Sequence, residues 1–221
     1  CNFMRAITYD QPGPPDVLKV VDVKFPQLNE NQILIKVVAA GVNRPDIIQR
    51  EGNYPPPSDH SPILGLEVSG YVEKKGKNVN NFLIKDRVAA LVNGGGYAEY
   101  CIAEQESTFK IPGDLSFNEA ACIPECFFTA WSNIVQRGGI SKNQKILIHG
   151  GTSGIGLAAI QISKIFNSYV ITTVGNEEKV KFCEQLGVDK VINYKKDDFF
   201  EVIKKSDARN INLILDYVGG D

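Results

Sequence analysis

The sequence is poor in the groups that hold metals and polyanions. Histidine occurs only as His60 and His149, far apart in the chain. None of the five cysteines sits in a C-x-x-C pair, and their odd number fits a reducing compartment, so a cytoplasmic protein is expected. A net charge of -2 supplies no basic field for nucleic acid or an anionic membrane, and no basic stripe interleaves with aromatics. No apolar run is long enough to span a bilayer, and no basic start followed by an apolar run marks a signal peptide. Internal repeats, low-complexity segments and the strict G-x-G-x-x-G spacing are also missing. What is left, 221 residues of which 43% are hydrophobic, suffices to bury the core of one large or two small domains.

The stretch 145–156 organises the rest. Residues 145–148 read as a short buried strand, Gly150, Gly151, Gly154 and Gly156 follow closely, and 157–166 read as a helix. Strand, glycine turn and helix is the setting in which glycines cradle a phosphate. Glycine permits the sharp turn and the close approach of a pyrophosphate, and the helix offers its free N–H groups and positive dipole end. Ile155, Ala158, Ala159, Ile162, Ile165 and Phe166 share a face, which predicts a core-facing stripe. Gly151-x-x-Gly154-x-Gly156 is a loose spacing, and a glycine loop without a ligand is the competing reading. The following pattern weighs against it. A strand at 169–174, a helix at 177–186 stopped by Gly187, a strand at 188–193, a helix capped by Asp197 or Asp198 and running through Lys205, and a strand at 211–216 alternate as in a parallel doubly wound sheet. The common dinucleotide-binding sheet has six strands, so a fragment lacking part of the sheet is expected.

The first half differs. Residues 4–9, 18–23, 33–40, 66–72, 87–91 and 97–102 are strand-like, with turn clusters such as Gln11-Pro12-Gly13-Pro14-Pro15 between them. Many short strands with Gly/Pro turns predict a small β-barrel or sandwich. One short helix is expected over 45–50, capped by Asn43 or Arg44. Ser116-x-x-Glu119 is a capping box, Pro124 interrupts what it opens, and 125–135 resumes as a helix.

Several motifs occur in a fixed order: Ala40-Gly41-Val42-Asn43-Arg44-Pro45-Asp46, Tyr54-Pro55-Pro56-Pro57, Leu64-Gly65-Leu66-Glu67-Val68-Ser69-Gly70, Asp86-Arg87-Val88, Gly95-Gly96-Tyr97-Ala98-Glu99-Tyr100, Ala120-Ala121 with Pro124, Thr129-Ala130 and Asn193-Tyr194. On these the chain resembles the zinc-free quinone oxidoreductases of the medium-chain dehydrogenase/reductase superfamily, most closely the tumour-suppressor-induced, zeta-crystallin-like branch. The resemblance implies an α/β protein in which a GroES-like β-barrel domain, 1–122, precedes a Rossmann doubly wound parallel sheet, 123–221, incomplete at its C-terminal end. It also implies an active site in the cleft between the domains, a homodimer, and a quinone or enone as small-molecule partner. Two departures stand out. Ser153-Gly154-Ile155-Gly156 replaces the usual Gly-Gly-Val-Gly, and Lys85 replaces the glycine usual before Asp-Arg-Val.

In related alcohol dehydrogenases zinc is held at the positions matching Asn43 and Leu66, with a third ligand near Glu125. Leucine cannot ligate and an amide is a poor zinc ligand, so no metal is expected. Asn93-Gly94-Gly95-Gly96 runs where the structural zinc lobe would be, and Cys122 and Cys126 read as helix packing. Without zinc, a nicotinamide cofactor carries the reducing power and the protein positions and polarises. By resemblance Asn43 and Tyr54 stand at the cleft as hydrogen-bond donors, and Thr129 meets the nicotinamide. Each also has a structural reading: a helix cap, packing against prolines, an ordinary helix threonine. Cofactor contacts are expected at Gly151, Ser153, Gly154, Ile155 and Gly156, at Gly175, Asn176, Lys179 and Tyr194, and at Val218. NADPH is expected over NADH, because Val174-Gly175-Asn176 supplies no carboxylate where NAD-binding sheets place one, while resemblance points Lys179 and Tyr194 at a 2′-phosphate. The alternatives are Glu177 or Glu178 as a ribose ligand, an enoyl or enone reductase, and a non-catalytic NADPH-binding protein.

Overall fold

The computed structural model describes residues 3–219. The chain divides into two compact units, residues 1–125 and 126–221.

In the first unit proline or glycine closely follows most strands, and one ends instead in a 3-10 turn at Gln105–Ser107. β1 (Phe3–Thr8) and β2 (Lys19–Lys24) pair antiparallel. β3 (Gln32–Ala40), β4 (Glu67–Lys75), β5 (Arg87–Leu91), β6 (Tyr100–Glu104) and β7 (Thr108–Lys110) form an antiparallel sheet in the order β6-β3-β4-β5-β7. The strand expected over 97–102 begins later, at Tyr100. Its first residues cross to β1 instead: Ala98 bridges Ala6, and the Ile7 N–H donates to the Tyr97 carbonyl at 2.8 Å. The short β7 has no counterpart among the strands expected from the sequence. Ile33, Ile35, Val68, Val72, Val88 and Cys101 fill the core, and their alternation along β3 and β4 is the period-two pattern of strands. α1 (Arg44–Arg50) has Pro45 in its first turn, where the missing N–H costs nothing. α2 (Phe117–Ala120) opens on the Ser116 capping box. α3 (Pro124–Trp131) starts on the proline that separates it from α2.

The second unit opens with a departure from the sequence reading. The single helix expected over 125–135 becomes α3 followed by a π-helical turn, Ser132–Arg137. The Gly138 N–H donates to the Asn133 carbonyl at 2.9 Å, and the Asn133 amide donates to the Thr129 carbonyl at 2.8 Å. β8 (Lys145–His149), β9 (Tyr169–Val174), β10 (Lys190–Asn193) and β11 (Leu213–Leu215) form a sheet in the order β10-β9-β8-β11. Every pair is parallel, as expected for a doubly wound sheet, and β-branched residues dominate the strands. α4 (Gly154–Ile165), α5 (Glu177–Gln185) and α6 (Phe199–Lys204) are the crossovers. Asp198 caps α6, and Gly187 follows α5 at φ 78°, the left-handed stop that glycine makes cheap.

One core expectation fails. Ile165 is 77% exposed, whereas Ile160 is 1% exposed and packs with Ala158, Ala159 and Ile162. At 100° per residue the buried arc of α4 turns to include Gly156, Ile160 and Ser163, which leaves Ile165 outside its margin. Among the described residues, no helix is long and apolar enough to cross a membrane.

Candidate functional site

In the first unit β3 runs into Gly41, and the chain enters α1 through Asn43. The Asp46 carboxylate is buried and organises the turn. Its Oδ2 accepts the Asn43 N–H at 2.9 Å and the Tyr97 hydroxyl at 3.1 Å, and its Oδ1 accepts the Gly65 N–H at 2.9 Å. Glu67, also buried, accepts the Asn43 side-chain amide on Oε1 at 2.9 Å and the Glu125 N–H on Oε2 at 2.9 Å. A Cβ on Gly41 would lie 2.0 Å from Glu67 Oε1, so this carboxylate can stand here only beside glycine. Burial pushes the Glu67 pKa up, against the lowering effect of the Glu125 N–H and the Asn43 amide. Burial, then the charges of Glu67 and Asp46, raise Glu125. Burial and Asp46 raise the Tyr97 phenol, so it acts as a hydrogen-bond donor at neutral pH.

Asn43 is thus fixed by Glu67, which takes one amide N–H and leaves the second and the carbonyl oxygen for another partner. Tyr54 lies on an exposed bend after α1, with no hydrogen bond of its hydroxyl among the described residues. Thr129, in the second unit, is half-buried on α3, and its carbonyl accepts from Asn133. No group of three or more His, Cys, Asp and Glu among the described residues could hold a metal ion. A hollow of about 410 Å³ in this unit, lined by Met4, Tyr100 and Cys101 among others, includes neither Asn43, Tyr54 nor Glu67.

In the second unit β8 delivers the chain to Gly150 at φ 72°, and the Gly150 and Gly151 N–H groups donate to the Thr173 carbonyl of β9 at 3.1 and 3.2 Å. A Cβ on Gly151 would meet Thr172 Oγ1 at 2.2 Å, and one on Gly156 would meet the Gly150 carbonyl oxygen at 2.3 Å. Ser153 caps α4, its Oγ accepting the Gly156 N–H at 3.0 Å. The N–H groups of Gly154 and Ile155, which lead the helix, have no partner among the described residues. Unsatisfied N–H groups at a helix start form an anion site, and a cradle closed to side chains suits a dinucleotide diphosphate. His149 lines a hollow together with Gly150. Its Nδ1 lies 3.0 Å from Thr173 Oγ1 and its ring packs edge-on against Phe199.

Around the end of β9, Tyr194 stands over Gly175, its hydroxyl 2.7 Å from where a Cβ would be, with the Lys195 stem at 3.7 Å. Asn176 caps α5 by accepting the Lys179 N–H at 2.9 Å. Glu177 is already engaged: it accepts the Asn193 amide and the Lys196 ammonium, each at 2.9 Å, and these hold its carboxyl below the usual range. Lys179 is exposed and forms no ion pair among the described residues. Tyr194 and Val218 line a hollow of about 620 Å³ with Gly150, Thr173 and Asp216. Lys179 and Asn176 line a different one, of about 520 Å³. Asp46, Glu67 and Tyr217 carry no local signal in the sequence: Asp46 meets Tyr97 and Gly65, Glu67 meets Asn43 and Glu125, and the Tyr217 hydroxyl reaches the glycine loop after the neighbouring strand.

A glycine-led crossover onto a parallel sheet, after a unit of short antiparallel strands, defines a medium-chain dehydrogenase/reductase. Residues 29–125 match the family described as alcohol dehydrogenase GroES-like domain, and residues 154–221 match zinc-binding dehydrogenase. The chain is 38% identical to the quinone oxidoreductase of Lama guanicoe over 97% of its length and 66% of that protein's. It is 35% identical to that of Mus musculus, covering 100% and 68%. The solved quinone oxidoreductase of Coxiella burnetii superposes with a TM-score of 0.84 at 35% identity, covering 99% of this chain and 70% of that one. The chain belongs to the zeta-crystallin-like quinone oxidoreductases of this superfamily, and it spans about two thirds of these relatives' length.

Proposed function

We propose that the protein reduces quinones with NADPH and without zinc, the first unit holding the acceptor and the second the dinucleotide. The observation that carries this reading is the cradle at the head of α4, where Gly151 and Gly156 leave no room for a Cβ beside the unpartnered N–H groups of Gly154 and Ile155. NADPH bound there supplies a hydride donor at its nicotinamide ring. The chain's own part is to bind and orient. The loop N–H groups and the helix dipole take the diphosphate. Gly175 lets the ribose come close under Tyr194, and Lys179 and Lys195 supply positive charge for the 2′-phosphate. Glu177, tied to Lys196 and Asn193, is a poor candidate for a ribose ligand.

At the acceptor, Asn43 donates its remaining amide N–H to a quinone oxygen, in an orientation set by Glu67. Tyr54, exposed to solvent, is the candidate for proton exchange, and Thr129 borders the nicotinamide. A quinol anion is stabilised by its own ring, so a strong Lewis acid is not needed, and neither Asn43 nor Leu66 suits zinc.

The test is NADPH consumption by the complete polypeptide against a panel of quinones and enones. Quinone-dependent turnover is expected. Turnover with enones alone would assign double-bond reduction, and NADPH binding without turnover would assign a non-catalytic role. Equal use of NADH would overturn the cofactor assignment.

A further inference from the structure

We propose that Tyr217 is a positioning residue of the phosphate cradle, its hydroxyl latching the 150–156 loop in the shape that presents the Gly154 and Ile155 N–H groups to the cofactor's diphosphate. The proposal rests on the dinucleotide-binding reading above.

Tyr217 follows β11, the strand beside β8. It leaves the strand direction at once, because Asp216 Oδ1 accepts the N–H groups of Val218 at 3.2 Å and Gly219 at 3.1 Å, the short side-chain turn that aspartate favours. The phenol ring is half-buried against the core of the second unit. Its hydroxyl donates to the Gly150 carbonyl at 2.8 Å and touches the Ser153 hydroxyl. Ser153 converges on the same carbonyl through its N–H at 3.0 Å and its Oγ at 2.9 Å, and it accepts the Gly156 N–H at 3.0 Å. The phenol, the Gly150 carbonyl, the Ser153 hydroxyl and the Gly156 N–H therefore form one connected set on the inner side of the loop. A Cβ on Gly156 would lie 2.8 Å from the phenol oxygen, so one reason for glycine there is the tyrosine itself. Burial raises the phenol pKa, which keeps the proton in place for donation.

The physical need is clear from the loop's composition. Glycine loses more conformational freedom on ordering than any other residue, and a ligand that had to order this loop would bind more weakly by that amount. A hydroxyl anchored just beyond a neighbouring strand makes that ordering part of folding. Among the described residues the hydrogen bonds of the Tyr217 hydroxyl are with the loop, so its effect on the cofactor passes through the loop backbone.

Tyr217→Phe removes one oxygen and keeps the ring. Binding of NADPH and of adenosine 2′-monophosphate, which has no diphosphate, is measured on parent and variant, with amide hydrogen exchange of residues 152–156 in the free protein. The expected result is about fivefold weaker NADPH binding, adenosine 2′-monophosphate binding changed less than about twofold, and faster exchange in the loop. Unchanged NADPH affinity, equal weakening of both ligands, or unchanged loop exchange would overturn the proposal. If the parent protein itself fails to bind NADPH, the dinucleotide reading falls first and this proposal with it. Should Tyr217→Phe not fold, Asp216→Asn, which keeps the turn acceptor, and Asp216→Ala, which removes it, give the same comparison. Only Asp216→Ala is expected to reproduce the NADPH-selective loss, and equal behaviour of the two variants would overturn the latch.

Discussion

At single residues, local backbone preference and tertiary contacts can be weighed separately. Lys85 sits at φ 70° where relatives carry glycine by the resemblance read from sequence. A side chain in the left-handed region costs about 1 kcal/mol or more, and glycine in the unfolded chain gives part of that back. Lys85→Gly is therefore expected to stabilise the protein by about 0.5 kcal/mol, read as a higher urea midpoint with unchanged slope. Asn43 is the contrasting case. It stands at the head of α1 like an ordinary cap, yet its amide is turned to Glu67. Asn43→Ala should cut quinone turnover about tenfold, the value of one lost donor, and leave NADPH affinity within about twofold. Equal loss of both would make Asn43 structural. Glu125 adds a pH signature. Its pKa is raised in the folded state from an ordinary 4.5, so its contribution to stability is full below that value and is lost as pH rises through the folded pKa. Glu125→Gln should match the parent at pH below about 4 and be the more stable of the two at neutral pH. A mutant less stable than the parent at neutral pH would contradict the assignment.

At the scale of elements, the crossover β8–α4 carries the most information in the sequence and the tightest geometry in the structure. Its strand, glycines and helix were legible because each reports a local preference: β-branched residues for a buried strand, glycine for positive φ, apolar spacing for the helix. The neighbours β9, α5 and β10 were legible for the same reason. What was not legible depended on partners elsewhere. The strand expected at 97–102 starts late because Tyr97, Ala98 and Glu99 pair with β1. The π-helical turn after α3 arises from Asn133 reaching Thr129 and from Gly138 at its end, and no periodicity announces it. The cluster of Asp46, Glu67 and Glu125 joins three separate segments. The crossover itself yields a sharp expectation. Gly156→Ala places a methyl 2.3 Å from the Gly150 carbonyl oxygen, a backbone atom that cannot swing away. Loss of about 1–3 kcal/mol of stability is expected, together with at least about tenfold weaker NADPH binding. A variant that bound NADPH like the parent would show that the loop is not the diphosphate site.

For the whole molecule, the preference for NADPH proposed above is a question of charge. The net charge of -2 is close to neutral, so no global field draws in a polyanion, and discrimination must come from charges within a Debye length of the bound ligand, about 10 Å at 0.1 M salt. NADPH differs from NADH by one phosphate carrying about -1.5 to -2 charges at neutral pH. Near Gly175 the second unit offers Lys179 and Lys195; Glu177 there is paired with Lys196, while Glu178 shares the hollow of Lys179 and three aspartates, Asp197, Asp198 and Asp216, line that of Tyr194. Local attraction between exposed groups is screened by salt, whereas the diphosphate contacts proposed for the backbone N–H groups would be common to both cofactors. Raising ionic strength from about 0.05 M to about 0.5 M should therefore weaken NADPH binding several-fold more than NADH binding. Lys179→Ala or Lys195→Ala should flatten the difference, and which of the two does so identifies the phosphate's partner, since Lys179 lines a separate hollow from Tyr194. Parallel salt dependence of the two cofactors in the parent protein would mean that the 2′-phosphate meets no charge here, and the preference for NADPH would then have no physical basis in these residues.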